Sequence, residues 1–368
     1  MFQSSYRLRT LTRNLDGPLV LLILLNALFG LLMISSAGGG KYVLVQLTAF
    51  LLGIGGVVLL MVLDYDYLSR ISYYLYGAGL LLLILVLIPG IGAVRGGARS
   101  WFEFGPINLQ PAELMKIFFI IFFARHLSEK QERINQPIEL LKLLAYLVVI
   151  FILLLFQPDF GTAAVFAGIA LVMLFTAGIT WKYLLWGLGS LVIICPILWV
   201  FVLQDYQKTR LITAFNPELD PTGAGYHAIQ SKTAVGSGKL FGTGLFKGSS
   251  QVGNLLPERH TDFIYSAVCE ELGMLGGILV IVLLTLLIFR CIYIGLNARN
   301  ALGRHICIGV AAMLIFQVFE NIGMCLGLFP VTGITLPFYS YGGSSMITTM
   351  LAMGLVLSVR YRCRMINF

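Results

Sequence analysis

Residues 256–262 read Leu256-Pro257-Glu258-Arg259-His260-Thr261-Asp262, and from Phe263 an apolar run continues to position 289, broken only by Glu270 and Glu271. About 20 apolar residues are enough to cross the hydrocarbon core of a bilayer. The run therefore reads as a transmembrane helix, and the residues before it as its charged lip. Ionisable groups at such a place are costly and usually functional. Asp262 sits where a carboxylate is half withdrawn from water, yet within reach of a substrate arriving through the lipid.

The rest of the chain agrees. Its 368 residues are 58% hydrophobic and 11% charged, with a mean hydropathy of +0.89. Soluble domains carry about 25% charged residues. The composition excludes a soluble globular protein and predicts an all-α polytopic membrane protein, folded as one integral domain over 1–368. No small-residue cleavage site follows the first apolar run, which reads as a retained span rather than a signal peptide. Ten spans are expected, at 17–36, 43–63, 70–89, 111–127, 138–157, 160–178, 181–203, 263–289, 303–327 and 338–359. The net charge is +8. With the N-terminus cytoplasmic, Arg7, Arg9, Arg13, Arg70, Arg125, Lys130, Arg133, Lys182, Arg290, Arg299, Arg304, Arg360, Arg362 and Arg364 fall inside. Only Lys41, Arg95 and Arg99 fall in the short outer loops. That asymmetry follows the positive-inside rule and puts both termini in the cytoplasm. Residues 90–110 and the long loop 204–262, between the seventh and eighth spans, are then extracellular.

Two superficial signals lead nowhere. The six cysteines lack the CxxC spacing of a metal or redox site and read as small apolar residues. The Gly-rich stretch from Gly236-Ser237-Gly238-Lys239 through Gly248 resembles a phosphate loop, but Thr233 stands in place of its first Gly and Leu240 follows the Lys. A flexible loop or a re-entrant interfacial segment fits it better.

Candidate chemistry lies at a few positions. Glu113 and Lys116 follow Pro111 on the fourth span, and i, i+3 spacing puts them on one helical face. They form an ion pair that eases insertion, a polar patch facing a cavity and open to an anionic substrate, or both. Asp159 follows Gln157-Pro158 and is suited to capping a helix. Glu270, Glu271, Glu320 and Asn321 read equally as packing or as polar pairs. His260 is a base, a ligand or a surface residue, and no second His or Cys at ligand spacing supports zinc. Lys208, Arg210 and Arg259 are cations able to meet phosphate oxygens. Pro330-Val331-Thr332-Gly333, Leu336-Pro337 and Ser340-Tyr341-Gly342-Gly343-Ser344-Ser345 break regular helix. Within a membrane, such backbone must be buried in protein or line a wet cavity.

These pieces together resemble the SEDS family of bacterial cell-wall and division proteins, from the first span to the basic tail. Asn321-Ile322-Gly323-Met324-Cys325-Leu326-Gly327-Leu328-Phe329-Pro330-Val331-Thr332-Gly333-Ile334, with Ser340 to Ser345 behind it, is similar to the family's defining pattern. Asn108-Leu109-Gln110-Pro111-Ala112-Glu113 with Lys116, Gln157 to Thr162, and Pro257 to Phe263 add three further matches. Ala112 stands where many members have Ser. Arg259 gives the chain the form of the RodA-like elongation branch.

The resemblance implies a peptidoglycan glycosyltransferase that polymerises lipid II, an undecaprenyl-pyrophosphate disaccharide-peptide, at the outer face of the cytoplasmic membrane. It also implies a class B penicillin-binding protein, a transpeptidase, as partner. The carboxylate matching Asp262 is the family's essential catalytic group. Joining an α-linked donor into a β-linked glycan is an inverting reaction, which needs a base for the acceptor hydroxyl. Lys116, Arg210 and Arg259 would neutralise the pyrophosphate, with Glu113, His260 and Asp159 completing the substrate site, and a Mg²⁺ or Mn²⁺ would share the load if one binds. The competing readings are a lipid II flippase and a non-catalytic scaffold that activates the transpeptidase.

Overall fold

The computed structural model describes residues 15–95, 98–104, 107–202, 208–209, 212–213, 216–221, 223, 225–248, 256 and 258–364. Its long helices are α1 (Gly17–Ala37), α2 (Gly40–Val62), α3 (Tyr65–Arg70), α4 (Ser72–Leu85), α5 (Pro111–Glu129), α6 (Pro137–Phe156), α7 (Phe160–Thr176), α8 (Trp181–Ile197), α9 (Tyr226–Ser237), α10 (Ile264–Leu296), α11 (Ala301–Cys325) and α12 (Gly343–Arg364). Each interval expected to span overlaps one of them. α1, α2, α6, α10, α11 and α12 are long and apolar enough to cross a bilayer, while α4 and α7 are shorter apolar helices.

Local chemistry sets several helix starts. The Asp16 carboxylate accepts from the Leu19 N–H at 3.0 Å, and Pro18 occupies the first turn of α1. Pro111 and Pro137 open α5 and α6, where a missing N–H costs nothing. Asp159 and Asn300 cap α7 and α11 with their side chains.

The expectation of an all-α fold needs one correction. Between α4 and α5, strands β1 (Ala93–Arg95), β2 (Ala98–Phe104) and β3 (Ile107–Leu109) form an antiparallel meander in the order β1-β2-β3. β1 and β3, at three residues each, are too short to carry a periodicity. The signal is the pair Gly96-Gly97, a two-residue hairpin sequence, which lies outside the described residues.

Polarity runs inside out. Leu21, Leu24, Leu25, Leu28 and Leu32 of α1 are exposed, as are Trp181, Leu185 and Trp186 of α8. Asn26, Gln46, Lys116, Gln157, Gln317 and Asn321 are buried. Exposed apolar surface on this scale means a non-aqueous surrounding, so the protein is a multi-pass membrane protein. At one end of the bundle Asp16 binds Arg290 through two bonds, at 2.8 and 2.7 Å, and Arg360 at 3.2 Å.

Two irregular segments shape the opposite end. The first is a break in α10 at Gly273, whose φ of 68° and ψ of −165° no helix contains. Residues 239–244 thread the break. The Thr243 and Gly244 N–H groups donate to Glu270 O and Glu271 O at 3.0 and 2.9 Å, and the Met274 and Leu275 N–H groups donate to Lys239 O and Leu240 O at 2.8 and 3.3 Å. A Cβ on Gly242 would collide with Glu271 O. The Gly-rich stretch is thus a docked segment rather than a flexible loop. Its glycines serve close backbone approach.

The second segment, residues 326–342, joins α11 to α12. Buried Gln46 donates to Ser340 O and accepts from the Gly342 N–H, both at 3.0 Å. Asn321 Nδ2 donates to Ile334 O at 2.7 Å, and Ser340 Oγ accepts from the Leu336 N–H at 2.7 Å. Non-helical backbone at this depth is tolerated because protein groups satisfy it.

Candidate active site

Asp262 lies two residues before α10, between α11 and the segment 326–342. Its own carbonyl accepts from Asn321 Nδ2 at 2.8 Å. Its carboxylate faces Gly333, where a Cβ would stand 3.4 Å from Oδ2. Gly333 also has φ of 74°, so a side chain there would be strained as well as crowded. Among the described residues no donor pairs with the Asp262 carboxylate. It stays partly accessible, yet protein surrounds it on nearly all sides, and that volume sets its dielectric. Burial pushes its pKa up to about 7, and the charge of Glu258 adds to the shift.

A second group lies at the starts of α5 and α7. Lys116 Nζ donates to Glu113 Oε1 at 2.6 Å, and Lys116 is 1% exposed. The ion pair expected from i, i+3 spacing exists, and it faces the bundle interior. Glu113 Oε2 is buried with no hydrogen-bond partner among the described residues. Lys116 has three N–H donors and directs one at Glu113. Asp159 accepts from the Thr162 N–H at 3.0 Å and from Gln110 Nε2 at 3.2 Å. Burial raises its pKa, while hydrogen bonds from Thr162 and the Lys116 charge oppose the rise. Asp159 is therefore a helix cap within electrostatic reach of the ammonium.

Glu320 connects the two groups. A Cβ on Gly161 would touch Thr332 Cβ at 2.8 Å and Glu320 Oε1 at 3.1 Å. Thr332 precedes Gly333, which faces Asp262. The polar side chains thus form a belt at one end of the bundle, from Lys116 and Glu113 through Asp159, Glu320 and Thr332 to Asp262. The Ser344 hydroxyl donates to Asn108 O at 2.8 Å and accepts from the Gln110 N–H at 3.0 Å, which fixes the approach to α5.

Other candidates lie elsewhere. Arg259 donates to Ala37 O at 2.8 Å and Ser36 O at 3.2 Å, so the structure commits it to the final carbonyls of α1. His260 packs on Tyr42 with ring centroids 4.3 Å apart, its carbonyl accepts from the Tyr341 N–H at 2.8 Å, and burial lowers its pKa. Arg210 lies outside the described residues. Among the described residues no three His, Cys, Asp or Glu side chains converge to hold a metal ion, and no step below passes through one. Gln46, Ser36 and Tyr42 escaped the sequence reading, because a single polar residue in an apolar helix carries no sign of its partner.

A family model described as cell cycle protein, covering FtsW, RodA and SpoVE, matches residues 18–365. The chain belongs to this family. It is 39% identical to the probable peptidoglycan glycosyltransferase FtsW of Trichlorobacter lovleyi, over 96% of this chain and 95% of that one. It is 38% identical to stage V sporulation protein E of Bacillus subtilis (94% and 96%) and 35% identical to the peptidoglycan glycosyltransferase MrdB of Escherichia coli K12 (96% and 95%). Among solved structures it is similar to a chain from a peptidoglycan synthase complex described as coordinating polymerization and crosslinking. The TM-score is 0.83 at 34% identity, covering 95% of this chain and 98% of that one. It is also similar to the rod shape determining protein RodA of Thermus thermophilus, with a TM-score of 0.71 at 33% identity, covering 94% and 96%. Proteins named FtsW, stage V sporulation protein E, MrdB and RodA all stand among these relatives.

Proposed function

We propose that this family member is a peptidoglycan glycosyltransferase that polymerises lipid II with Asp262 as general base. The observation that carries the reading is the Asp262 carboxylate: half-buried against Gly333, without a donor among the described residues, and raised to about 7. A base is most effective when its pKa lies near the working pH. The acceptor hydroxyl gives its proton to Asp262 as its oxygen forms the new bond to the donor's anomeric carbon. The bond from that carbon to the pyrophosphate breaks, and its electron pair leaves with the lipid pyrophosphate. The Lys116 ammonium, with N–H groups left over from Glu113, stabilises that departing charge. The lipid tail stays in the bilayer and enters between helices. A flippase needs a polar path across both leaflets, whereas here the belt gathers at one end.

On this reading ten helices cross the cytoplasmic membrane, both termini are cytoplasmic, and the belt faces outward. A cysteine placed at the exposed Lys239 should react with a membrane-impermeant maleimide added to whole spheroplasts. Labelling only after the membrane is opened would reverse the topology.

The reaction serves cell elongation beside a class B penicillin-binding protein, which raises the rate. The test is glycan-strand formation from lipid II by the purified protein, with and without the co-purified transpeptidase. Strands should form in both cases, faster with the partner. Equal rates at saturating partner would remove the activation. No strands in either case would remove the polymerase.

A further inference from the structure

The break at Gly273 makes residues 264–272 a short helix of their own, with Asp262 at its start and Glu271 near its end. Both ends are tied to the last turn of α1. At the front, Arg259 binds the carbonyls of Ser36 and Ala37. At the back, the Ser36 hydroxyl donates to Glu271 Oε2 at 2.5 Å. The Phe246 N–H donates to Ser36 Oγ at 3.0 Å and lies 3.4 Å from the same carboxylate oxygen. Glu271 is 1% exposed and forms no ion pair among the described residues. Burying a carboxyl group is costly unless hydrogen bonds compensate it, and here the Ser36 hydroxyl and the Phe246 amide do so. The helical geometry of α10 is interrupted at Gly273, so beyond the backbone bonds through residues 239–244 the Glu271 side chain is what ties this half-helix to α1.

We propose that Glu271 is a positioning residue for the transfer: through Ser36 it fixes the half-helix 264–272, and with it the Asp262 carboxyl, against the end of α1. The inference rests on Asp262 being the base. It assigns to Glu271 no contact with substrate. Catalytic groups must be held to about 0.5 Å, and a displacement near 1 Å costs about 100-fold in rate.

The experiment uses the full chain in nanodiscs with lipid II. Glu271→Ala should lower kcat by about 10- to 100-fold, the cost of a misplaced base, and leave KM near the wild-type value. Glu271→Gln keeps an oxygen acceptor for Ser36 and should restore kcat. Ser36→Ala should reproduce the loss, and the double variant should add little to either single one, as partners in one interaction do. Amide hydrogen exchange over 262–272 should speed up in Glu271→Ala while 274–296 stays unchanged. A Glu271→Ala protein with normal kcat and normal exchange overturns the inference, as does a loss that Glu271→Gln fails to rescue. Should Glu271→Ala not fold, Glu271→Gln and Ser36→Ala decide in its place. If Asp262→Asn still polymerises, the base assignment fails alone, and the exchange measurement still decides the coupling. If Asp262→Asn is inactive while Glu271→Ala is normal in both readouts, the positioning role fails alone.

Discussion

Asp262→Asn is expected to lower glycan-strand synthesis by about 10²- to 10⁴-fold, the range for losing a general base, while the protein still folds. Asn fills the same space beside Gly333 but accepts no proton. In the native protein the active form is the carboxylate, so the rate should fall as pH drops through about 7, the value to which burial raises this group. The stability consequence has the opposite sign. A raised folded-state pKa means that the folded protein holds this proton more tightly than the unfolded chain does. That stabilisation is complete below the ordinary carboxyl range and lost as pH rises through about 7. Above neutral pH, Asp262→Asn should therefore melt no lower than wild type. Strand synthesis at the native rate by the purified variant would refute the base assignment.

Lys116→Met should destabilise the protein by about 3–5 kcal/mol, the usual cost of breaking a buried ion pair from one side. It leaves the buried Glu113 carboxyl without its partner and within electrostatic reach of Asp159. Adding Glu113→Leu removes the orphan, and replacing both partners of a buried pair with apolar groups is often neutral. The double variant should therefore regain thermal stability without regaining polymerisation, because the cation proposed to meet the pyrophosphate stays absent. Melting temperature in detergent and lipid II turnover, measured on both variants, separate the two roles. Full activity in the stable double variant would confine the pair to a structural role.

The sequence was most legible where a signal is local. The apolar intervals mark the helices because about 20 residues suffice for each. Pro111 and Asp159 mark helix starts because capping involves neighbours in sequence. That Glu113 and Lys116 share a helical face followed from their i, i+3 spacing. What escaped depends on partners far apart in the chain. Gly273 sits in an apolar run that gives no hint of a break, since the backbone that satisfies it lies some thirty residues earlier, at Lys239 to Gly244. Arg259 read as a free cation because nothing near it reveals the carbonyls of Ser36 and Ala37. The meander from Ala93 to Leu109 was missed because β1 and β3 have three residues each, too few to alternate visibly.

The break at Gly273 also bears on how the chain is made. Backbone groups left open inside lipid cost several kcal/mol each, so a discontinuous helix is hazardous to insert. Lys239, Leu240, Thr243 and Gly244, which close this one, all precede Gly273, as does Ser36, which ties Glu271. A ribosome working from the N-terminus therefore delivers every one of these partners before the break itself emerges. The discontinuity never waits for polypeptide not yet synthesised.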